Sequence, residues 1–229
     1  MAECPLTSPG YPLQFQLNGR LCIVVGGGRV GLRKASGLLR AGARVRLITA
    51  AVAADLSLRQ EIEIIRRPYQ EGDLAGAVLA FAATDDRQVN AAVAAEARRR
   101  HIPVNIADDP AASDFLLPAT LLRGDLTIAV TTGGRSPALA AQVRDQLAEL
   151  VGPEWEIVLE IAAALRRKRL TVPEKAGYNQ GILRQLLEGG LPSLISGGDA
   201  KEIDDLLGRL LGKGFSLADL GIHLPKGMP

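Results

Sequence analysis

Leu21-Cys22-Ile23-Val24-Val25 contains no polar side chain and runs straight into Gly26-Gly27-Gly28-Arg29-Val30-Gly31, after which Leu32 to Ala41 reads as a helix. An unbroken apolar run of this length is the pattern of a strand buried on both faces, as in a parallel sheet. Gly26, Gly28 and Gly31 stand at G-x-G-x-x-G spacing, where glycine permits a tight turn, close approach of backbone to a pyrophosphate, and packing of helix on strand. Backbone N–H groups at the helix start supply an anion site. The segment therefore nominates Gly26, Gly28, Arg29, Val30 and Gly31 as cofactor contacts. A glycine turn between strand and helix is also a common structural device, so the motif needs its context.

The context supports it. Arg44 to Ile48, Glu61 to Arg67, Ala77 to Ala83 and Ile102 to Ala107 read as strands, and Asp85 to Arg100 as a helix with Val89, Val93 and Ala97 on one face. Strands alternating with helices at this spacing predict an α/β fold, a Rossmann-like parallel sheet with helical crossovers. Ahead of them, Leu13 to Leu17 reads as a strand turning at Asn18-Gly19 as a hairpin. Beyond Asp109-Pro110 the pattern changes. Phe115 to Leu122 and Leu126 to Thr132 flank Arg123-Gly124-Asp125 and predict an antiparallel hairpin. Ser136-Pro137 then opens a helix with Leu139, Val143, Leu147 and Leu150 on one face. After Gly152-Pro153 the chain reads as helical, with one segment ending in Arg166 to Arg169 and others near Ile182 to Leu187 and Lys201 to Leu211. Three zones are expected: a nucleotide-binding domain over 1–112, a small α+β hairpin-and-helix region over 113–150, and a helical C-terminal region over 151–229.

Composition excludes several classes. Among 229 residues, 27 Lys and Arg face 25 Asp and Glu, a formal charge of +2, too balanced for a protein that grips nucleic acid along its length. Aromatics are 3%, too few for a base-stacking platform. Cys4, Cys22, His101 and His223 are the whole pool of soft ligands and are not at ligand spacing, so no metal site is expected. No apolar run approaches the ~20 residues of a membrane helix. Neither a disulfide framework nor an export leader is expected, and the location implied is cytoplasmic.

Further candidates collect at predicted strand ends, where open α/β sheets bind ligands. The acid usual some 20 residues after the glycines is missing: the strand ends Leu47-Ile48-Thr49-Ala50, and Asp55 is the first acid beyond. Ribose contacts are assigned instead to Thr49, Ala50 and Ala51. Arg46 suggests a phosphate partner, but a basic residue in so short a strand more often faces solvent. Ala83-Thr84-Asp85-Asp86 offers Thr84 to the cofactor, with Asp85 read first as a helix cap. Asn105 and Asp108-Asp109-Pro110 follow a buried strand, either as a turn or as carboxylates placed for proton transfer. Asp114-Phe115 is a third segment. Thr131-Thr132-Gly133-Gly134-Arg135-Ser136-Pro137 is a second glycine-rich helix entry and a second anion site.

Taken together these residues resemble the precorrin-2 dehydrogenase and sirohydrochlorin ferrochelatase family, the module at the start of bacterial siroheme synthases. The likeness is carried by Tyr11-Pro12-Leu13, Val24 to Val30, Arg33-Lys34-Ala35, Ala41-Gly42-Ala43, Ala82 to Asp86, Val104 to Asp108 and Thr132 to Ala140. It covers about residues 9 to 150, and the helical tail loosely. It implies NAD-dependent oxidation of precorrin-2 to sirohydrochlorin, with ferrous iron as a further substrate in bifunctional members, and an interlocked homodimer. It implies Asp108 as the catalytic aspartate. Asn105, Arg123, Thr132, Gly133, Gly134 and Arg135 are the candidates for a carboxylate-rich substrate. Some members carry a phosphorylatable serine where Thr132 stands. Fused synthases add a methyltransferase domain, for which 229 residues leave no room. The competing reading is a non-catalytic NAD-sensing module in which Asp108 and the second glycine turn are structural.

Overall fold

The computed structural model describes residues 10–52, 61–170 and 178–225. These fall into two compact units, the first running to Leu117 and including Gly133–Ser136, the second comprising Pro118–Thr132 and the chain from Pro137 onward. The second unit holds the hairpin, the helix after it and the helical tail.

In the first unit the elements run β1 (Leu21–Gly27), α1 (Arg29–Arg40), β2 (Arg44–Val52), β3 (Ile62–Ile65), β4 (Leu79–Ala82), α2 (Arg87–Arg99) and β5 (Val104–Ile106). The strands form one sheet in the order β3-β2-β1-β4-β5, every pairing parallel. Alternation along β1 sends Cys22 and Val24 to the face covered by α1, and Ile23 and Val25 to the face covered by α2. Both faces are filled, so the run must be apolar throughout. Each such aliphatic side chain gains about 1.5 to 3 kcal/mol from burial. Helix α2 packs Val93, Ala94 and Ala97 into the second face. It ends where His101 takes a left-handed φ of 56° and Ile102 N–H reaches back to the Ala97 carbonyl, at 2.8 Å.

One expected element is absent. Leu13 to Leu17 is not a strand, and Asn18-Gly19 is a turn without a hairpin. Both neighbours of β1 are the parallel strands β2 and β4, which leaves no edge for an antiparallel partner. Gly19 N–H instead bonds the Gly42 carbonyl at 2.8 Å.

The second unit holds the antiparallel pair β6 (Ala119–Arg123) and β7 (Leu126–Val130), turning at Gly124 with φ 54° as the sequence predicts. Five helices follow: α3 (Pro137–Leu150), α4 (Trp155–Leu170), α5 (Tyr178–Glu188), α6 (Leu191–Gly197) and α7 (Ala200–Leu211), with a last turn α8 (Leu217–Leu220). Ile161, Leu186, Leu191, Ile195, Ile203 and Leu207 form the centre of their own core. Cys4 and Asp55 lie outside the described residues. Among those described, no helix is long and apolar enough to cross a membrane, and no three His, Cys, Asp or Glu side chains gather as a metal site.

Candidate active site

Strand order reverses between β1 and β4, since α1 carries the chain from β1 to β2 on one side and the next crossovers return it to β4 on the other. A crevice opens at the carboxyl ends of the strands at such a point. Its floor is the glycine run, and the three glycines are required for different reasons. Gly26 has φ 115°, and a Cβ there would lie 2.2 Å from the Ala83 carbonyl oxygen. A Cβ on Gly31 would lie 1.9 Å from the Gly26 carbonyl oxygen, so helix and strand close on each other. Gly28 has extended backbone and nothing within 4 Å of a Cβ: it faces open space. It is also the N-cap of α1, makes no side-chain capping bond, and is followed by a first turn without acidic residues. The N–H groups of that turn therefore have no carboxylate competing for them. A cradle open at Gly28 and closed beneath fits the pyrophosphate of a dinucleotide.

Gly27 has a role the spacing does not reveal. Its N–H donates to Thr49 Oγ1 at 3.1 Å, and a Cβ would lie 2.5 Å from the Ala51 carbonyl oxygen. Thr49 is buried, and its hydroxyl donates in turn to the Ala51 carbonyl. The Thr49 hydroxyl is thus spent on holding the glycine turn against β2, while Ala50 and Ala51 stay exposed. Arg46 pairs with Glu63 at 2.9 Å across the β2–β3 register, which accounts for its charge.

Beyond β4, Thr84 lies against Gly26, its amide nitrogen 2.9 Å from where a Gly26 Cβ would stand. Asn90 on α2, 3% exposed, binds Thr84 through its backbone and hydroxyl and donates to Asp108 Oδ1 at 3.1 Å. Asp108 follows β5, whose end is tied to β4 by Ala107 N–H to the Ala82 carbonyl, 2.9 Å. The carboxylate is 42% exposed, with the Arg87 guanidinium 3.6 Å from Oδ2. Asp108 therefore reaches solvent at the same edge of the sheet as the glycine turn, two hydrogen-bonded links from the lip at Thr84. The neighbouring acids do other work. Asp86, not Asp85, caps α2 by accepting from Gln88 and Val89 N–H. Asp109 accepts from Ala112 N–H and Asp114 from Val104 N–H, at 3.0 and 2.9 Å.

Asn105 points to the opposite face, where it is 6% exposed. Lys34 Nζ donates to its Oδ1 at 2.6 Å, its Nδ2 donates to the Phe115 carbonyl at 2.9 Å, and the ammonium stands 5.3 Å from the Phe81 ring centroid. The Asn105 amide is committed within the chain and holds the segment after β5. Burial pushes the Lys34 ammonium down to about 8, and the adjacent Arg33 charge adds to this. A folded value below the unfolded one means that the unfolded chain binds the extra proton between them. Stability then rises with pH from about 8 to the ordinary lysine value near ~10.4. Denaturant unfolding at pH 8 and pH 10 should show wild type gaining about 1 kcal/mol more over this interval than Lys34→Met, the partly exposed side chain being screened in part by solvent.

A family model described as putative NAD(P)-binding matches residues 13–119, and one described as sirohaem biosynthesis protein central matches residues 123–150. Siroheme synthase of Methylococcus capsulatus is 39% identical over 200 residues, 86% of this chain and 42% of that protein. Siroheme synthase of a Pseudomonas aeruginosa strain is 35% identical over 208 residues, 90% of this chain and 45% of that protein. The chain is related to siroheme synthases over most of its own length. It spans less than half the length of those two relatives. A solved structure described as SirC, precorrin-2 dehydrogenase, superposes with a TM-score of 0.63 at 24% identity, over 77% of this chain and 89% of that one, and speaks for the fold.

The stretch matched by the second of the two family models contains the remaining candidates. Arg123 donates to the Val151 carbonyl at 2.9 Å and to those of Ala148 and Leu122, so its guanidinium closes the C-terminal end of α3 and joins helix to hairpin. Gly133 and Gly134 both have positive φ, 62° and 79°, and lead into the 14-residue α3. Arg135 is exposed beside them, and Thr132 is partly buried. Of the residues expected from the sequence, the structure gathers Gly26, Gly28, Gly31, Thr84 and Asp108 along one edge of the sheet. It assigns the side chains of Thr49, Asn105 and Arg123 to internal bonds.

Proposed function

We propose that the chain is a cytoplasmic, NAD-dependent precorrin-2 dehydrogenase that forms sirohydrochlorin. The observation that carries this reading is the exposed Asp108 carboxylate at the carboxyl edge of the sheet, linked through Asn90 to the Thr84 lip of the glycine crevice. When bound, the nicotinamide takes the hydride equivalent of the oxidation, leaving one proton for the chain to accept. Gly28 and the first turn of α1 hold the pyrophosphate, and Ala50 and Ala51 lie at the strand end where the ribose is read. Asp108 accepts the proton, directly or through water. The turn at Gly133-Gly134 and the guanidinium of Arg135 are the groups we assign to substrate carboxylates. With ferrous iron as a second substrate, the same carboxylate serves to take protons from pyrrole nitrogens.

A homodimer completes this reading. Leu122, Leu139 and Leu150 on the hairpin and α3 are 47%, 51% and 74% exposed, while Ala140 is the buried residue of that helix. Sedimentation should give twice the chain mass, with Leu139→Glu shifting it to monomer. Activity is tested by anaerobic incubation of precorrin-2 with NAD. NADH should form together with the sirohydrochlorin spectrum, and added ferrous iron should convert that spectrum to siroheme. An NAD-sensing module would bind the dinucleotide without turnover.

A further inference from the structure

Asn90 has no part in the chemistry so far, yet every hydrogen-bonding position on its amide is taken. Nδ2 donates to the Thr84 carbonyl at 3.0 Å and to Asp108 Oδ1 at 3.1 Å. Oδ1 accepts from Thr84 N–H at 3.2 Å and from Thr84 Oγ1 at 2.8 Å. Two N–H groups and two lone pairs are all that an amide has. The orientation is fixed by chemistry, because a flipped amide would set its oxygen against a carbonyl and a carboxylate and its NH2 against the Thr84 N–H.

An asparagine that only anchored the turn between β4 and α2 would need Thr84 alone. An exposed carboxylate satisfies itself with water, so spending a buried donor on Asp108 gains the fold little. It does select one orientation of the carboxylate. With Oδ1 held, Oδ2 is left toward solvent, where Arg87 stands at 3.6 Å, beyond hydrogen-bond distance and 90% exposed. Such a surface pair orients weakly. We propose that Asn90 is the positioning residue of Asp108, fixing its carboxylate and the Thr84 lip of the crevice in one register. The inference rests on the reading of Asp108 as proton acceptor.

The charged group that faces Asp108 is Arg87 on α2; Asp85 and Asp86 precede Arg87 in the chain, and Asp109 follows Asp108. Asp86 and Asp109 are engaged by backbone N–H groups. Asn90→Asp keeps the shape of the side chain, removes both donors, and sets a second carboxylate beside the first. Its kcat at neutral pH should fall about 10- to 100-fold. The rising limb of kcat against pH should move upward, since a like charge favours the protonated acid. Asn90→Ala should lose rate similarly with a smaller displacement of the limb. A structural asparagine predicts a lower melting temperature with the rate per folded molecule and the pH profile unmoved, and that result overturns the proposal. If Asn90→Asp fails to fold, Asn90→Ala decides by the same criteria, and failure of both assigns Asn90 to the fold and overturns it too. Asp108→Asn, measured alongside, separates this idea from the reading beneath it. Full turnover in Asp108→Asn ends both, whereas an inactive Asp108→Asn with normal Asn90 variants ends only this one.

Discussion

Asp108→Ala is expected to lower kcat for NAD-dependent oxidation of precorrin-2 by about 10²- to 10⁴-fold, the range that a positioned general base supplies. Melting temperature and NAD affinity should stay near those of wild type. The separation follows from where the side chain sits. It is 42% exposed and makes no contact that fills a core, and its partners are one amide hydrogen of Asn90 and the solvent-facing Arg87. Truncation leaves one Asn90 N–H that water can reach, at a cost of about 1 kcal/mol or less. The glycine turn is untouched, because the three remaining bonds between Asn90 and Thr84 do not involve Asp108. Steady-state rates under anaerobic conditions, with NAD titration and a thermal melt on the same sample, provide the check. A variant that keeps wild-type rate would remove Asp108 from the chemistry and leave the relation to siroheme synthases standing.

How far the sequence carries can be judged from particular residues. Cys22 to Val25 predicted a central strand because a strand covered on both faces admits no polar residue, and β1 is that strand. The glycine spacing, read between a buried strand and a helix, predicted the tight turn at Gly26 and the close packing at Gly31, where a Cβ would meet carbonyl oxygens. Tertiary pairings were not legible in the same way. Nothing local marks Thr49 as the acceptor of the Gly27 N–H, 22 residues away, or Asn105 as the partner of Lys34, 71 residues away. Arg123 read as a substrate cation because a cation beside a turn looks available until the carbonyls at the end of α3 are brought to it. Asn90 was missed for a related reason. It is buried on α2 beside Val93, Ala94 and Ala97, with Glu96 as the other buried polar residue of that helix, and a polar residue among apolar ones carries a signal only once its partners are known. The short α6 also escaped: seven residues bounded by Gly190 and Gly198, with Pro192 near its start, are too few to show a helical period.

Gly28→Val is expected to produce a protein that folds normally and has lost most of its affinity for NAD, about 10-fold or more, whereas Gly26→Val should not accumulate as folded protein. The two positions are two residues apart in one motif, and their backbones explain the contrast. At Gly28, φ is −74° and ψ 177°, a conformation any residue adopts, and nothing stands within 4 Å of a Cβ. An N-cap glycine without a capping side chain loses about 1 kcal/mol or less when replaced. The added isopropyl group would occupy the cradle that the pyrophosphate needs, over the N–H groups of the first turn of α1. At Gly26, φ is 115°, and a Cβ would sit 2.2 Å from the Ala83 carbonyl oxygen in the middle of the sheet. Relief would require parting β1 from β4, at a cost that joins backbone strain to lost packing, about 3 kcal/mol or more against a total stability of roughly 5 to 15. Expression level and thermal melting report the first quantity, and NAD titration of the folded variant reports the second. If Gly28→Val binds NAD as tightly as wild type, the pyrophosphate does not lie on this turn and the dinucleotide must be placed elsewhere. If Gly26→Val folds, the close contact between the strand ends is not what shapes the crevice.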